Sequence, residues 1–357
     1  MAEFQLQKAV SLLPDGVDAA LVTSACNRQY LLQFHSSAGV LLITSEEALF
    51  LVDSRYIEKA QKQISGCRVE LLTSLSRQLQ EYAKQHAIKT MAVESSYMTL
   101  REFNRYRQLL PGIELVASDD FDQALLKMRG VKTEEEIAQM QKAQNITDAA
   151  FTRICAYIKP GVTEKQIAAQ LEFEMKSLGA DGFAFDTIVV SGANSSMPHG
   201  TPTDKVVESG DFITMDFGAM LGGYMSDMTR TVAVGAISEE QKQVYYTVLE
   251  AQRRAMEVIR PGVVCKEVDA VARSFIAEAG FEGCFGHGLG HSLGVEIHEM
   301  PAFNLSDTTA LAPGMVISVE PGIYLPGKFG VRIEDVIVVA PDGYRNFTKS
   351  PKELICL

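Results

Sequence analysis

The first third of the chain alternates short apolar runs with longer, polar-rich stretches of helical character. The runs AALVTS, AGVLLIT, ALFLVD, KTMAVE and IELVAS have the length and aliphatic content of buried strands, and stretches such as IEKAQKQI and LSRQLQEYAKQHA separate them. Strands that alternate with helices indicate an α/β domain. The opening segment, MAEFQLQKAVSLLPDG, has a short amphipathic helix pattern and lacks the basic region and apolar core of a secretory signal.

After this region the pattern changes to a long amphipathic helix. A T-x-x-E capping box at Thr133 and Glu136 starts the helix, and the sequence Lys-Pro-Gly at 159–161 ends it. A chain of 357 residues is long enough for two hydrophobic cores. We therefore predict an amino-terminal α/β domain at 1–128 and a second domain at 129–357.

The second domain contains an internal repeat. KPGV at 159–162, followed by a helix and SLGADGF, matches RPGV at 260–263, followed by a helix and EAGFEGC. Further along, GDFITMDFGA matches PGMVISVEPG, and MSDMTRTVAV matches RIEDVIVVA. The repeat predicts two similar halves related by an approximate two-fold axis.

The repeat places acids at matched positions in apolar strands. It pairs Asp216 with Glu320, Asp227 with Glu334, and His199 of SMPHGTP with His298 of EIHEMP. Corresponding strands of two similar halves would meet near the axis and bring the four carboxylates together. Burying one uncompensated carboxylate costs several kcal/mol, and like charges a few ångströms apart do not all stay ionised. The four acids therefore require a cationic counter-charge.

Two sources of this counter-charge are open. The acids could lie exposed on their strands or pair with Arg230 and Arg332, but two arginines offset only half of the charge. Two divalent ions supply four positive charges, and oxygen-rich ligation suits Mn²⁺ or similar ions. The segment CFGHGLGHSLGVEIHEMP adds three of the six histidines, His287, His291 and His298, and their spacing alone does not say which one binds.

At these motifs the sequence resembles the metallopeptidases of the pita-bread fold, in the branch of Xaa-Pro aminopeptidases and Xaa-Pro dipeptidases (prolidases). MDFGAMLGGYMSDMTRT, GHGLGHSLGVEIHEMP, ISVEPGIY and GVRIEDVIVV occur in the family's order, and NRQYLLQF and VDSRY resemble that branch's amino-terminal domain. The resemblance implies an α+β fold, with a pita-bread catalytic domain of two pseudo-symmetric halves after a smaller, creatinase-like α/β domain. It also implies a homodimer.

The resemblance further implies a site for two divalent ions, with Mn²⁺ expected and Co²⁺ or Zn²⁺ as alternatives. The implied ligands are Asp216, Asp227, His291, Glu320 and Glu334, with Asp227 and Glu334 bridging the two ions. The other implied roles are proton transfer for Glu320, a contact to the substrate or tetrahedral intermediate for His298, and positioning of the substrate or movement of protons for His199. His287 and Arg332 have implied substrate-side positions. His287 would line the proline pocket, and Arg332 would orient a carboxylate ligand.

The implied reaction is hydrolysis of the bond between an amino-terminal residue and a following proline in short peptides. Prolidases often carry an arginine directly after the HExP motif, whereas here Ala302 follows Pro301. Without that donor a dipeptide carboxylate is gripped less firmly, so the sequence favours an Xaa-Pro aminopeptidase over an Xaa-Pro dipeptidase. Candidates for an apolar proline pocket are Phe183, Phe185, Ile188 and Val190.

Three other classes of protein are weaker alternatives. Methionine aminopeptidases share the five ligands but normally lack a domain like 1–128. Creatinase-type relatives hydrolyse a carbon–nitrogen bond without metal and are substituted at the ligand positions. Non-catalytic peptide-binding proteins of this fold have typically lost ligands, and here all five are acids or histidine.

Composition limits the location and the partners. Hydrophobic residues make up 46% and charged residues 22%, and no apolar run approaches the roughly 18 residues of a membrane span. A net charge of −12 without a lysine or arginine cluster argues against nucleic-acid and membrane partners. Six cysteines without C-x-x-C spacing fit reduced thiols. We therefore predict a soluble, cytoplasmic protein.

Overall fold

A computed structural model of the chain describes residues 2–3 and 6–357. It contains two units, Met1–Arg129 and Gly130–Leu357. The helix predicted at the start of the chain is present as α1, Leu6–Val10, while residues 1, 4 and 5 of that prediction lie outside the described part. None of the described helices is both long enough and apolar enough to cross a membrane.

The described part of the amino-terminal unit contains a six-stranded sheet, a separate pair of short strands, and helices. Its strands are β1 (Ala2–Glu3), β2 (Ala19–Val22), β3 (Val40–Thr44), β4 (Ala48–Val52), β5 (Ile64–Ser65), β6 (Arg68–Leu71), β7 (Thr90–Val93) and β8 (Glu114–Val116). Its further helices are α2 (Ala25–Leu32), α3 (Ile57–Gln63), α4 (Leu75–Gln85), α5 (Leu100–Leu109) and α6 (Asp119–Gly130). The sheet order is β6-β4-β3-β2-β7-β8, and the short β1 pairs with β5 separately.

The central strands of this sheet are the apolar runs found in the sequence. Every residue of β2, β3 and β4 is buried. The edge strand β6 is more exposed. The sequence analysis did not identify β6, because half of its residues are charged and all are at least partly exposed. An edge strand of this kind carries little of the apolar pattern on which strand prediction depends.

The second unit contains four α-helices and thirteen strands in its described residues. The helices are α7 (Glu134–Tyr157), α8 (Glu164–Ser177), α9 (Glu239–Val258) and α10 (Cys265–Ile276), with a 3₁₀ helix at Gly192–Ser196 and a π-helical turn at Ala277–Phe281. The strands of its first half are β9 (Gly182–Phe183), β10 (Ile188–Ser191), β11 (Phe212–Phe217), β12 (Ala219–Leu221), β13 (Tyr224–Met225) and β14 (Met228–Ala233). Those of its second half are β15 (Gly290–Ser292), β16 (Glu299–Phe303), β17 (Val316–Val319), β18 (Gly322–Leu325), β19 (Phe329–Arg332), β20 (Asp335–Ala340) and β21 (Gly343–Asn346).

Helix α7 begins at the predicted capping box. The Thr133 hydroxyl accepts a hydrogen bond from the Glu136 amide, and the Glu136 carboxylate accepts one from the Thr133 amide. The helix ends at Tyr157, directly before the predicted stop. A separate helix, α6, occupies residues 119–130 before it.

The two halves of the second unit have the same core topology. Strands β10-β11-β14 form an antiparallel sheet in the first half, and β15-β17-β20 repeat that order in the second. Two helices accompany each sheet, and each half has its own buried apolar cluster. The fold is therefore the α+β, pseudo-symmetric arrangement that the repeat predicted.

Residues 212–233 contain one β-hairpin inside another. Strands β11 and β14 pair along their whole length, but the chain between them forms a second hairpin, β12 and β13, which pairs with β9 in another sheet. The chain leaves β11 at Gly218 and re-enters β14 after Ser226. A Cβ atom at Gly218 would lie 1.9 Å from the Ser226 carbonyl oxygen, so only glycine allows this close approach.

We expect Gly218→Ala to destabilise the second unit by about 1–3 kcal/mol, because an added methyl group forces two backbone segments apart. Chemical denaturation monitored by circular dichroism measures this change. Gly286→Ala is the matched control, since a Cβ atom at Gly286 meets nothing within 4 Å. Equal stability of the two variants would contradict this account of the hairpin.

Candidate metal-dependent active site

The four repeat-matched acids line one cavity of about 500 Å³ in the second unit. Each half supplies one acid at the end of its central strand and one directly before the next strand of its sheet. The positions are Asp216 in β11, Asp227 before β14, Glu320 after β17 and Glu334 before β20. The backbone amide of Glu334 also donates to the carbonyl of Thr229, which ties the two halves together beside the acids.

His291 is the histidine that faces these acids. Its Nε2 lies 3.6 Å from Asp227 Oδ2 and 3.5 Å from Glu320 Oε1, while its Nδ1 lies 3.2 Å from the Ser292 carbonyl. A proton on Nδ1 satisfies that carbonyl and leaves the Nε2 lone pair directed at the carboxylates. Ligand atoms of Asp227, His291 and Glu334 all lie within 4.8 Å of one another.

The two nearby arginines offset little of the negative charge. Arg332 Nη2 is 2.7 Å from Asp216 Oδ2, and Arg332 Nε donates to the Thr229 hydroxyl, which in turn donates to Glu334 Oε2 at 2.8 Å. Arg230 instead pairs with Asp335, which is not one of the four acids. Three of the four carboxylates therefore have no ion pair with an arginine or lysine among the residues that the structure describes.

Several carboxylate oxygens of the cluster have no hydrogen-bond donor. Asp216 Oδ1, Asp227 Oδ1 and Glu334 Oε1 are buried without a partner. Burial and the neighbouring carboxylates raise the pKa of Asp227 and of Glu334 well above the usual range, and burial raises the pKa of Glu320 to about 8. Unpaired anionic oxygens and one imidazole lone pair are the donor set that divalent cations prefer, so the residues fit a metal site.

The three other histidines that line the cavity differ in how accessible their ring nitrogens are to a substrate. His287 has both ring nitrogens engaged, with Nδ1 2.8 Å from the Gly288 carbonyl and Nε2 2.9 Å from the Tyr324 hydroxyl. Burial and Arg332 lower the pKa of His287 to about 4, so this ring is neutral at physiological pH. His199 and His298 line the cavity with exposed side chains. Burial of its ring atoms and the neighbouring His291 and His199 lower the pKa of His298.

The cavity wall includes residues that the sequence analysis did not single out. Of the four apolar candidates, Phe185 and Ile188 line the cavity, whereas Phe183 packs under Lys176 and Val190 is buried in β10. The additional lining residues are Asp186, Pro198, Gly288, Gly290, Ile297 and Asn304, and Ala302 of the sequence analysis also lines the cavity. Pro198 and Ile297 directly precede the predicted site residues His199 and His298, so their place in the sequence could have suggested that they line the cavity. Asp186 and Asn304 carry no sequence signal, because only the folded backbone turns them towards the cavity.

Comparison with known proteins places this geometry in a family. Residues 138–341 match the model for metallopeptidase family M24, and residues 7–131 match the creatinase/prolidase N-terminal domain. The chain belongs to metallopeptidase family M24. This assignment confirms the resemblance seen in the motifs, and the amino-terminal match is to the kind of domain that methionine aminopeptidases normally lack.

Family members with solved structures share the whole fold. An Xaa-Pro dipeptidase from Bacillus anthracis superposes with a TM-score of 0.94 at 41% identity, over 99% of both chains. An X-Pro aminopeptidase from Thermotoga maritima gives a TM-score of 0.91 at 39% identity, over 96% of this chain and 98% of that one. An Xaa-Pro dipeptidase from Pyrococcus horikoshii is 39% identical over 342 residues, 96% of this chain and 95% of its own.

Because the cluster carries excess negative charge, we expect Glu334→Gln to have opposite effects on the unfolding temperature with and without metal. Glu334→Gln removes a buried charge and preserves side-chain shape, so in chelator the variant should unfold at a higher temperature than the unsubstituted protein. In excess Mn²⁺ the order should reverse, because a ligand at a hundred times its Kd stabilises the protein that binds it by about 2.7 kcal/mol. Scanning calorimetry under both conditions measures the crossing.

The control for this prediction is Glu239→Gln, since the Glu239 side chain is 89% exposed. It should follow the unsubstituted protein in chelator and in Mn²⁺. If Mn²⁺ stabilises Glu334→Gln and the unsubstituted protein equally, their order of unfolding temperatures does not reverse. That result would contradict a metal site at these acids.

Proposed function

We propose that this chain is a metal-dependent Xaa-Pro dipeptidase, which hydrolyses the bond between the first residue and a following proline. The observation that carries the proposal is the convergence of four carboxylates and the His291 lone pair on one cavity with unpaired buried oxygens. Several relatives and solved structures are named Xaa-Pro dipeptidase or prolidase, and these names supply the substrate class. They favour the dipeptidase over the aminopeptidase that the sequence favoured.

The proposed metal ligands are Asp216, Asp227, His291, Glu320 and Glu334, with two Mn²⁺ ions as the expected occupants. Bound divalent ions supply Lewis acidity that activates water and polarises a carbonyl. Asp216 offers the oxygen that Arg332 does not bind, and Glu334 offers the oxygen that Thr229 does not bind. Each of these carboxylates is thus held by a protein donor at one oxygen and presents the other.

Glu320 is the proposed proton carrier. Its Oε1 accepts a hydrogen bond from the Ser318 hydroxyl at 3.1 Å, which fixes the carboxyl group at the cavity wall. A carboxyl group held at the cavity wall can accept a proton from water and later donate it to a leaving nitrogen. His298 and His199 are exposed in the cavity, so each can donate a ring N–H to a substrate carbonyl oxygen.

His287 and Arg332 have a supporting place in this proposal. Arg332 donates to Asp216, Thr229, the Tyr324 hydroxyl and the Pro198 carbonyl, so four of its five N–H donors are bound within the protein. His287 is held by Tyr324 and presents its ring rather than a nitrogen. Both therefore shape the substrate side of the cavity, and Arg332 orients the carboxylate of Asp216.

The Mn²⁺-loaded protein should hydrolyse Ala-Pro, and chelation should abolish the activity. We expect His298→Ala to lower kcat by about a hundredfold, because one preorganised donor to the developing oxyanion is lost. Stabilisation by Mn²⁺ should persist in this variant, since His298 is not a proposed ligand. Amino-acid release and calorimetry measure the two effects, with Glu239→Gln as the control. Unchanged kcat in His298→Ala would remove this residue from the mechanism.

An Xaa-Pro aminopeptidase is the second candidate, and one observation favours it. Among the described residues that line the cavity, Arg332 is the single arginine or lysine, and four of its five N–H donors are bound within the protein. Together with Ala302 after the HExP motif, this leaves no fixed cation in the cavity of the second unit for a dipeptide carboxylate. A peptide that continues beyond the proline has no free carboxylate at that residue, so it would bind in such a cavity without needing a cation there.

Ala-Pro and Ala-Pro amide separate the two candidates, because they differ only in the carboxylate. A dipeptidase should show a kcat/KM at least about tenfold higher for the free acid, corresponding to about 1.4 kcal/mol of binding to the carboxylate. A faster reaction with the amide, or with Ala-Pro-Ala, would establish the aminopeptidase instead. Manganese as the native metal, a homodimer and a cytoplasmic location remain predictions from the sequence.

A further inference from the structure

Glu164 is a buried carboxylate outside the proposed metal site. It is the first residue of α8, its exposure is 0%, and no described arginine or lysine forms an ion pair with it. Five donors of three residues satisfy it instead. Oε1 accepts from the Ser191 amide at 2.6 Å, the Ser191 hydroxyl at 2.9 Å and Asn194 Nδ2 at 3.1 Å. Oε2 accepts from the Thr203 amide at 2.9 Å and the Thr203 hydroxyl at 2.6 Å.

These donors lie at the two ends of one loop. Ser191 ends β10, and Thr203 follows the loop that starts with the 3₁₀ helix. One oxygen of Glu164 holds the entry to the loop and the other holds its exit. Two further bonds tie the exit to the same helix start, because the amides of Glu164 and Lys165 donate to the carbonyls of Lys205 and Thr203.

The loop between these two anchors carries part of the cavity wall. Pro198 and His199 both line the cavity, and the Pro198 carbonyl accepts from Arg332 Nη1 at 3.2 Å. In the middle of the loop, the Ser195 hydroxyl accepts from the Gly330 amide at 2.8 Å. The His199 side chain itself is exposed, so its position depends on the loop backbone rather than on packing around the ring.

Burying a carboxylate without a cation costs several kcal/mol unless hydrogen bonds replace its hydration. A neutral side chain could cap α8 equally well, and the capping box of that helix already uses Thr163 and Gln166. The charge at Glu164 is therefore not needed to start the helix. Its distinctive property is that both oxygens accept only, so that they can bind donors from two chain segments at once.

We propose that Glu164 is a positioning residue that fixes the loop at 192–202 and thereby sets His199 in the cavity. This inference deepens the proposed peptidase function and rests on it for its effect on catalysis. Its effect on the loop does not depend on that function.

Glu164→Gln tests the proposal, because the amide places an NH₂ group against N–H donors of Ser191 or Thr203 while preserving side-chain size. We expect faster amide hydrogen exchange in a peptide spanning 191–203, measured by mass spectrometry, and a kcat for Ala-Pro lowered by about tenfold to a hundredfold. In a His199→Ala background the same substitution should change kcat by less than about twofold, since the residue that it positions is gone.

Asp122→Asn is the matched control. Asp122 is also a buried carboxylate that accepts from two backbone amides and a hydroxyl, those of Ser95 and Ser96, in the amino-terminal unit. This variant should lose stability without changing exchange at 191–203 or kcat. If Glu164→Gln fails to fold, Thr203→Val removes one donor from Oε2 and should change both readouts in the same direction by smaller factors.

The outcomes separate the proposal from its alternatives. Unchanged exchange at 191–203 overturns the proposal, as does an equal loss of kcat with and without His199, which would mark Glu164 as merely structural. If the unsubstituted protein fails to hydrolyse Ala-Pro and Ala-Pro-Ala, the proposed function fails. The exchange measurement then still decides whether Glu164 fixes the loop.

Discussion

The mutual repulsion of four carboxylates around one cavity is the constraint on which the second unit depends. Burial and neighbouring charge raise the pKa of Asp227 and Glu334, and three buried oxygens of the cluster lack a donor. Such an arrangement is unfavourable for a folded chain by itself. A bound divalent cation would offset this cost, because it supplies the positive charge that the cluster lacks.

The pseudo-symmetric fold is an efficient way to assemble this cluster. Each half contributes three strands in the same order, which form the whole sheet in the first half and part of a five-stranded sheet in the second. Each sheet presents one acid at the end of its central strand and another before the next strand. No single sheet has to accommodate four charges at adjacent positions. Arg332 and Thr229 then link the halves through hydrogen bonds to Asp216 and Glu334. In each of these acids, one carboxylate oxygen is bound by a protein donor and the other is left for another ligand.

His199 and His287 lie on segments that buried acids outside the cluster hold in place. Glu164 binds both ends of the segment that carries His199. In the second half, Asp269 accepts from the Leu289 amide at 3.0 Å and pairs with Arg273, whose guanidinium donates to the His287 carbonyl at 2.7 Å. Irregular segments near a cavity cannot be rigid through ladder hydrogen bonds, so buried carboxylates with several acceptor sites supply that rigidity.

The sequence by itself determined the repeat, the four acids, the capping box of α7 and most central strands, because these depend on residue type and local periodicity. It did not determine β6, the second hairpin within 213–234 or the lining positions of Asp186 and Asn304. It also left His287, His291 and His298 equivalent by spacing. Only the tertiary structure shows that His291 Nε2 faces the acids while both nitrogens of His287 are engaged. Ring orientation and the pairing of distant strands depend on contacts between residues far apart in the chain, which local pattern does not encode.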